Sequence, residues 1–186
     1  MGIPIGLSQQ EENYLNGYVG SISKEYFGAS YNPKIKPKLG KLPEGVGGVT
    51  QTSCTPYKCK PESIVLNETE QAFHKYMGLI APFHEKTHEA HMKALPYLPM
   101  AVGEDFIEGL TVYTNIEGLL KKGETMFAKV YFNSLSPAYK QYYNQMKEVE
   151  QKGVSIKDLA KRANQKGMEK VLGKKYSLSG SAGKYN

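Results

Sequence analysis

The chain has no tryptophan, only two cysteines and, among 24 basic residues, a single arginine, Arg162. The shortage of arginine removes the planar fork that grips phosphates and reads guanine, so specific nucleic-acid binding is not expected. Cys54 and Cys59 are too few to build a structural zinc site from thiolates. No basic, apolar leader marks the chain for secretion, so the two are expected as free thiols rather than a disulfide. No stretch approaches the roughly 20 apolar residues that cross a bilayer, so no membrane span is expected. Gly45-Val46-Gly47-Gly48-Val49 lacks the Gly-Lys-Ser/Thr that completes a phosphate loop.

Lysine dominates what is present. The net charge of +6 divides into +3 over residues 1–60, −4 over 61–135 and +7 over 136–186. Basic ends around an acidic middle favour an acidic partner. Glycine and proline crowd the first sixty residues, and the run from Asn32 to Gly48 cannot sustain a helix. The expected fold is therefore mainly α, with three parts. Residues 1–61 form an extended Gly/Pro/Tyr-rich arm carrying one short helix. Residues 62–173 form a small, irregular helical module, and 174–186 a short basic tail.

Local signals place the helices. Ser8 and Glu11 have capping-box spacing, with Gly17 as the stop. Asn67 and Glu70 mark a second start, followed by Phe73, Tyr76, Met77 and Ile80 at helical spacing. Pro82 suits the first turn of a further helix running to about Leu95. Glu104–Lys121 has Phe106, Leu110, Tyr113, Ile116 and Leu120 facing inward and Gly123 as its stop. Glu124–Phe132 reads equally as helix or strand. Ser136-Pro137 opens a helix with Tyr139, Tyr142, Tyr143, Met146 and Val149 on one face, ended by Gly153. Ser155 caps the last helix, with Asp158 in its first turn and Val154 and Leu159 at the hydrophobic-staple positions.

Three segments carry resemblances. His84-Glu85-Lys86-Thr87-His88 resembles the H-E-x-x-H of zinc metallopeptidases. Histidines four apart share a helix face and can both ligate a metal, and the glutamate between them can serve as general base. His91 extends the stripe as a possible third ligand. Lys86 and Glu89 place charge where those enzymes have uncharged residues. The bland alternative is a solvated His/Glu/Lys helix, so the expectation is no metal and no cofactor, with His84, His88 and His91 as the candidate ligands. Ser155 to Asn164 resembles the first helix of the helix-turn-helix in lac-repressor-type regulators. The following Gln165–Gly173 does not continue that pattern, so DNA binding through residues 155–172 is only an alternative.

Gly17-Tyr18-Val19-Gly20, followed by Tyr26-Phe27-Gly28 and Tyr31-Asn32-Pro33, resembles the Gly-Tyr-x-Gly segments of ciliary microtubule inner proteins. That resemblance implies a non-enzymatic structural subunit of a large, cytoskeletal assembly. Tubulin would be a possible protein partner, and a small-molecule substrate is not expected. Its partner-binding residues would be Tyr14, Tyr18, Tyr26, Phe27, Tyr31 and Tyr57, with Lys174 and Lys175 of the tail. An accessory subunit of a mitochondrial complex and a zinc-dependent hydrolase using His84–His88 are the alternatives.

Overall fold

The structure is a computed structural model that describes residues 7–28, 33–56, 58–68 and 77–172. It is mainly α, with one small sheet. Helix α1, Gln9–Ile22, begins as its sequence dictates. The Ser8 hydroxyl accepts from the Glu11 amide while the Glu11 carboxylate accepts from the Ser8 amide. Gly17 does not stop it. Leu15, Val19 and Ile22 make a stripe that is 0–1% exposed, and burying it outweighs the roughly 1 kcal/mol a mid-helix glycine costs. The chain continues into a π-helical turn, Ser23–Phe27, and leaves through Gly28 in the left-handed conformation (φ 79°).

The short helix expected in the extended arm is present, but it runs past Gly17 and, with the π turn, packs residues 9–27 against the core. Tyr26 and Phe27, expected to meet a partner, are 6% and 4% exposed and belong to the core. Tyr18 is half-buried and Tyr14 is 41% exposed. Tyr31, Tyr57, Lys174 and Lys175 lie outside the described residues.

Three strands follow: β1 Lys38–Gly40, β2 Gly48–Cys54 and β3 Cys59–Asn67. Their order is β1-β3-β2, with β1 parallel and β2 antiparallel to β3. The β2/β3 register slips between Gln51 and Thr52, where Pro61 has no amide hydrogen to donate. At the hairpin's end the register sets Cys54 opposite Cys59, and the two form a disulfide. The expectation of free thiols fails because it rested on compartment and not on pairing. Asn67 closes β3, and its Nδ2 donates to the carbonyls of Leu42, Pro43 and Val46. Of the helix expected from Asn67 and Glu70, residues 69–76 lie outside the described set, whereas its Met77 and Ile80 belong to the helix that follows.

Helix α2, Met77–Ala94, carries Pro82 in its interior rather than in a first turn. A 3₁₀ turn at Leu98–Met100 leads to α3, Glu104–Lys121, with the expected bounds. Leu110, Tyr113 and Ile116 are buried as expected, whereas Leu120 is 42% exposed. Helix α4, Thr125–Ser134, resolves the ambiguous segment as helix. Helix α5, Pro137–Gln151, starts from Ser136, whose hydroxyl accepts from the Tyr139 amide. Helix α6, Ile156–Leu172, has the Asp158 amide donating to Ser155 Oγ. Val154 is 42% exposed, so the staple there is at best partial. Gly123 and Gly153 take φ near 80° and end α3 and α5 as expected.

The core gathers α1, the π turn and α2 to α6 around Phe83, Leu110, Val112, Leu119 and Tyr131. Close approaches lock it. A Cβ at Gly118 of α3 would meet Ile22 of α1 at 2.7 Å, and one at Gly167 of α6 would meet the Tyr97 carbonyl oxygen at 1.9 Å. Asn164 Oδ1 accepts from the Tyr97 amide, so α6 spends its inner face clamping the loop between α2 and α3. Among the described residues no helix is long and apolar enough to cross a membrane.

Candidate metal centre

Helix α2 sorts the His84–His91 segment onto two faces. Lys86 and Glu89, the charges that set this segment apart from the metallopeptidase pattern, turn to the β1 side of the chain. The Glu89 carboxylate accepts from the amides of Lys34 and Ile35, and Lys86 Nζ donates to the Ile35 carbonyl. Both side chains are nearly inaccessible. Burial, only partly offset by Glu89, draws Lys86 below the ordinary lysine range. These charges strap residues 34–35 to the helix and leave the opposite face to the histidines.

On that other face His84 and His88 meet Glu108 of α3. His84 Nε2 lies 3.0 Å from His88 Nε2 and 3.0 Å from Glu108 Oε2, and His88 Nε2 lies 3.3 Å from the same carboxylate. The three offer converging ligand atoms. A tetrahedral zinc with bonds of about 2.0–2.1 Å separates its ligands by about 3.3 Å, so the triangle has the right size.

Counting protons tests the fit. Thr111 Oγ1 gives its single proton to the Ile107 carbonyl at 2.9 Å. In that arrangement its lone pairs face His88 Nδ1 at 3.2 Å and His91 Nδ1 at 3.0 Å, and both rings can donate to it from Nδ1. Neutral His88 thereby turns a bare Nε2 lone pair toward His84 and an anionic carboxylate. With Asn115 donating to the Tyr131 hydroxyl, Tyr131 can donate to His84 Nδ1, and neutral His84 then places its own Nε2 hydrogen between His88 and Glu108; a divalent cation would take that hydrogen's place. Protonation alone leaves its signature. Burial pushes His88 down, but the hydrogen bond and charge of Glu108 outweigh it and the net shift is upward. Burial likewise pushes Glu108 up, yet the two histidines hold it far below the usual carboxylate range.

Supporting groups surround the three. His84 Nδ1 is 2.7 Å from the Tyr131 hydroxyl, which Asn115 holds at 3.0 Å. Thr87 anchors Asn115 in turn at 2.7 Å. Metal-ligating histidines need such a partner on the second ring nitrogen, and here both have one. His91 is not the third ligand. It sits a turn away behind Thr111, its ring edge-on to Phe27 with centroids 4.2 Å apart. Its Nε2 is buried without a hydrogen-bond partner among the described residues. Burial, reinforced by the charges of His88 and His84, keeps His91 neutral.

The triangle opens into a cleft of about 1050 Å³ between β2, α2, α3 and the α4–α5 junction. Glu85 lines it beside His84, and its Oε2 accepts from Thr50 Oγ1 of β2 at 2.6 Å. Tyr139 of α5 lines the facing wall, its ring edge-on to His84. Burial and the neighbouring carboxylates of Glu108 and Glu85 raise Tyr139, so its hydroxyl keeps its proton and remains a donor.

The sequence exposes His84, Glu85 and His88 through their spacing alone. It hides Glu108, Thr111, Tyr131 and Tyr139. Glu108, Thr111 and Asn115 do share a helix face at 3-4 spacing, a polar stripe inside an otherwise apolar helix, and that was the available signal. Neither a family model, nor a curated protein, nor a solved structure matches this chain.

Proposed function

We propose that this chain is a metal-dependent hydrolase, with His84, His88 and Glu108 as ligands and Glu85 as general base. The observation that carries the reading is the buried convergence of two Nε2 atoms and one carboxylate, each imidazole held from behind on Nδ1. A zinc or similar divalent ion there supplies Lewis-acid polarisation of water and of a substrate carbonyl. Glu85, fixed by Thr50 at the cleft wall, accepts the proton of the attacking water and returns it to the leaving group. Tyr139 presents an O–H donor to negative charge developing on the carbonyl oxygen. The likeness of His84–His88 to zinc metallopeptidases makes the peptide bond the first substrate to test.

The structural-subunit reading rested on the Gly-Tyr-x-Gly resemblance and on an extended N-terminal arm whose tyrosines would meet a partner. Residues 9–27 have a core to join, so that support is weaker. The deciding experiment is elemental analysis of purified protein together with peptide hydrolysis. One equivalent of zinc and turnover abolished in Glu85→Gln are the expected results. A protein that takes up no stoichiometric divalent metal overturns the hydrolase reading and leaves the subunit reading standing.

A further inference from the structure

The cleft's charge identifies what it accepts. The chain holds 24 lysines and arginines, yet among the described residues none lines the cleft, which carries three carboxylates: Glu85, Glu104 and Glu108. Two of them have tasks, Glu108 on the histidine pair and Glu85 on Thr50. The side chain of Glu104 makes no hydrogen bond or ion pair among the described residues. It is exposed at the first position of α3, one helical turn and about 6 Å along the axis from Glu108. Its neighbour Asp105 accepts from the Tyr142 hydroxyl on another face and does not line the cleft. The cleft lining also includes the apolar Val102, Ile107 and Met92. Apolar lining together with an exposed carboxylate suits a group with an aliphatic stem and a cationic head.

We propose that the cleft selects peptides bearing a cation close to the bond to be cut, and that Glu104 receives that cation. This rests on the hydrolase reading and names its substrate class. The shared chemistry is an ammonium or guanidinium, from a lysine or arginine side chain or from a free amino terminus. A carboxylate so close to a helix start also has a purely structural use, favouring the positive end of the helix. Removing it for that reason alone lowers stability slightly and leaves ligand preference untouched.

The test measures peptide binding by calorimetry in zinc-loaded Glu85→Gln protein, where turnover does not intervene. The probes are matched peptides differing only in lysine against norleucine, each with a free and an acetylated amino terminus. A charge-assisted contact at an exposed carboxylate predicts about two- to fivefold tighter binding of the cationic member. Adding Glu104→Gln should erase that ratio while leaving the norleucine peptide's affinity unchanged, and Glu104→Lys should invert it. Preference that follows lysine assigns the side chain, and preference lost on acetylation assigns the amino terminus. Equal binding of all the peptides, a preference that survives Glu104→Gln, or no binding at all overturns the inference. None of these outcomes touches the metal content and Glu85-dependent turnover on which the hydrolase reading stands.

Discussion

Thr111→Val is the sharpest probe of the centre, because it removes one oxygen without touching a ligand. That oxygen can accept from two buried rings, His88 at 3.2 Å and His91 at 3.0 Å. Valine keeps the branched shape but offers no acceptor. His88 then loses the group that holds its Nδ1 hydrogen, and with it both tautomer and ring angle. Loss of such a supporting group typically costs 10–100-fold in metal affinity, or about 1.4–2.7 kcal/mol. Among the described residues His91 Nε2 already has no partner, and losing its Nδ1 acceptor strands a second atom in a place water does not reach. A buried donor left unmade costs about 1–3 kcal/mol, so the metal-free variant should also melt earlier. Thr114→Val is the control. Among the described residues its hydroxyl bonds to the Leu110 and Thr111 carbonyls of its own helix and to no histidine. Zinc affinity by competition with a chromogenic chelator, paired with thermal unfolding of metal-free protein, separates the two. The reasoning fails if Thr111→Val binds zinc within twofold of the parent, or if Thr114→Val weakens binding equally.

Other outcomes follow from the same structure. Gly167→Ala pushes a Cβ to within 1.9 Å of the Tyr97 carbonyl oxygen, so α6 must withdraw; denaturant unfolding should show a loss of about 3 kcal/mol, at the upper end for overpacking. Ser155→Ala removes the oxygen that accepts from the Asp158 amide and should lower stability by about 1 kcal/mol in the same assay. Reducing the Cys54–Cys59 bond frees a short hairpin loop, and loop-closure entropy puts the loss at about 2 kcal/mol, read as a lower unfolding midpoint in dithiothreitol. His88 is raised above its unfolded value of 6.5. Its contribution to metal-free stability is therefore full below that pH and disappears as pH rises through the raised folded value. Zinc must displace the same proton, so its affinity should climb across that interval, and chelator competition at stepped pH checks the sign.

Local chemistry made several elements legible. The Ser8 capping box, Ser136-Pro137, Ser155 with Asp158, and the glycines at 123 and 153 act within a few residues of themselves, so their helix ends can be read in order along the chain. The bounds of α3 follow from the same kind of signal. Gly17 and Pro82 misled because each carries a penalty of a few kcal/mol at most, and burial of the Leu15–Val19–Ile22 stripe and of the α2 interior decides against them. The sheet escaped notice because β2 alternates too few apolar residues to announce itself, and its pairing with β3 carries the strand.

The sequence by itself determined that the protein is mainly helical, where most of its later helices begin and end, and that His84 and His88 share one turn-spaced stripe with Glu85 between them in the chain. Tertiary structure alone decided that Glu108 completes the triangle, that Thr111 and Tyr131 hold the rings from behind, that Lys86 and Glu89 serve as straps, and that Cys54 meets Cys59. The reason is range. Caps and stops act across three or four residues of a continuous backbone. A ligand set needs atoms from separate helices brought within 3–4 Å, and only the packing of one element on another fixes that distance.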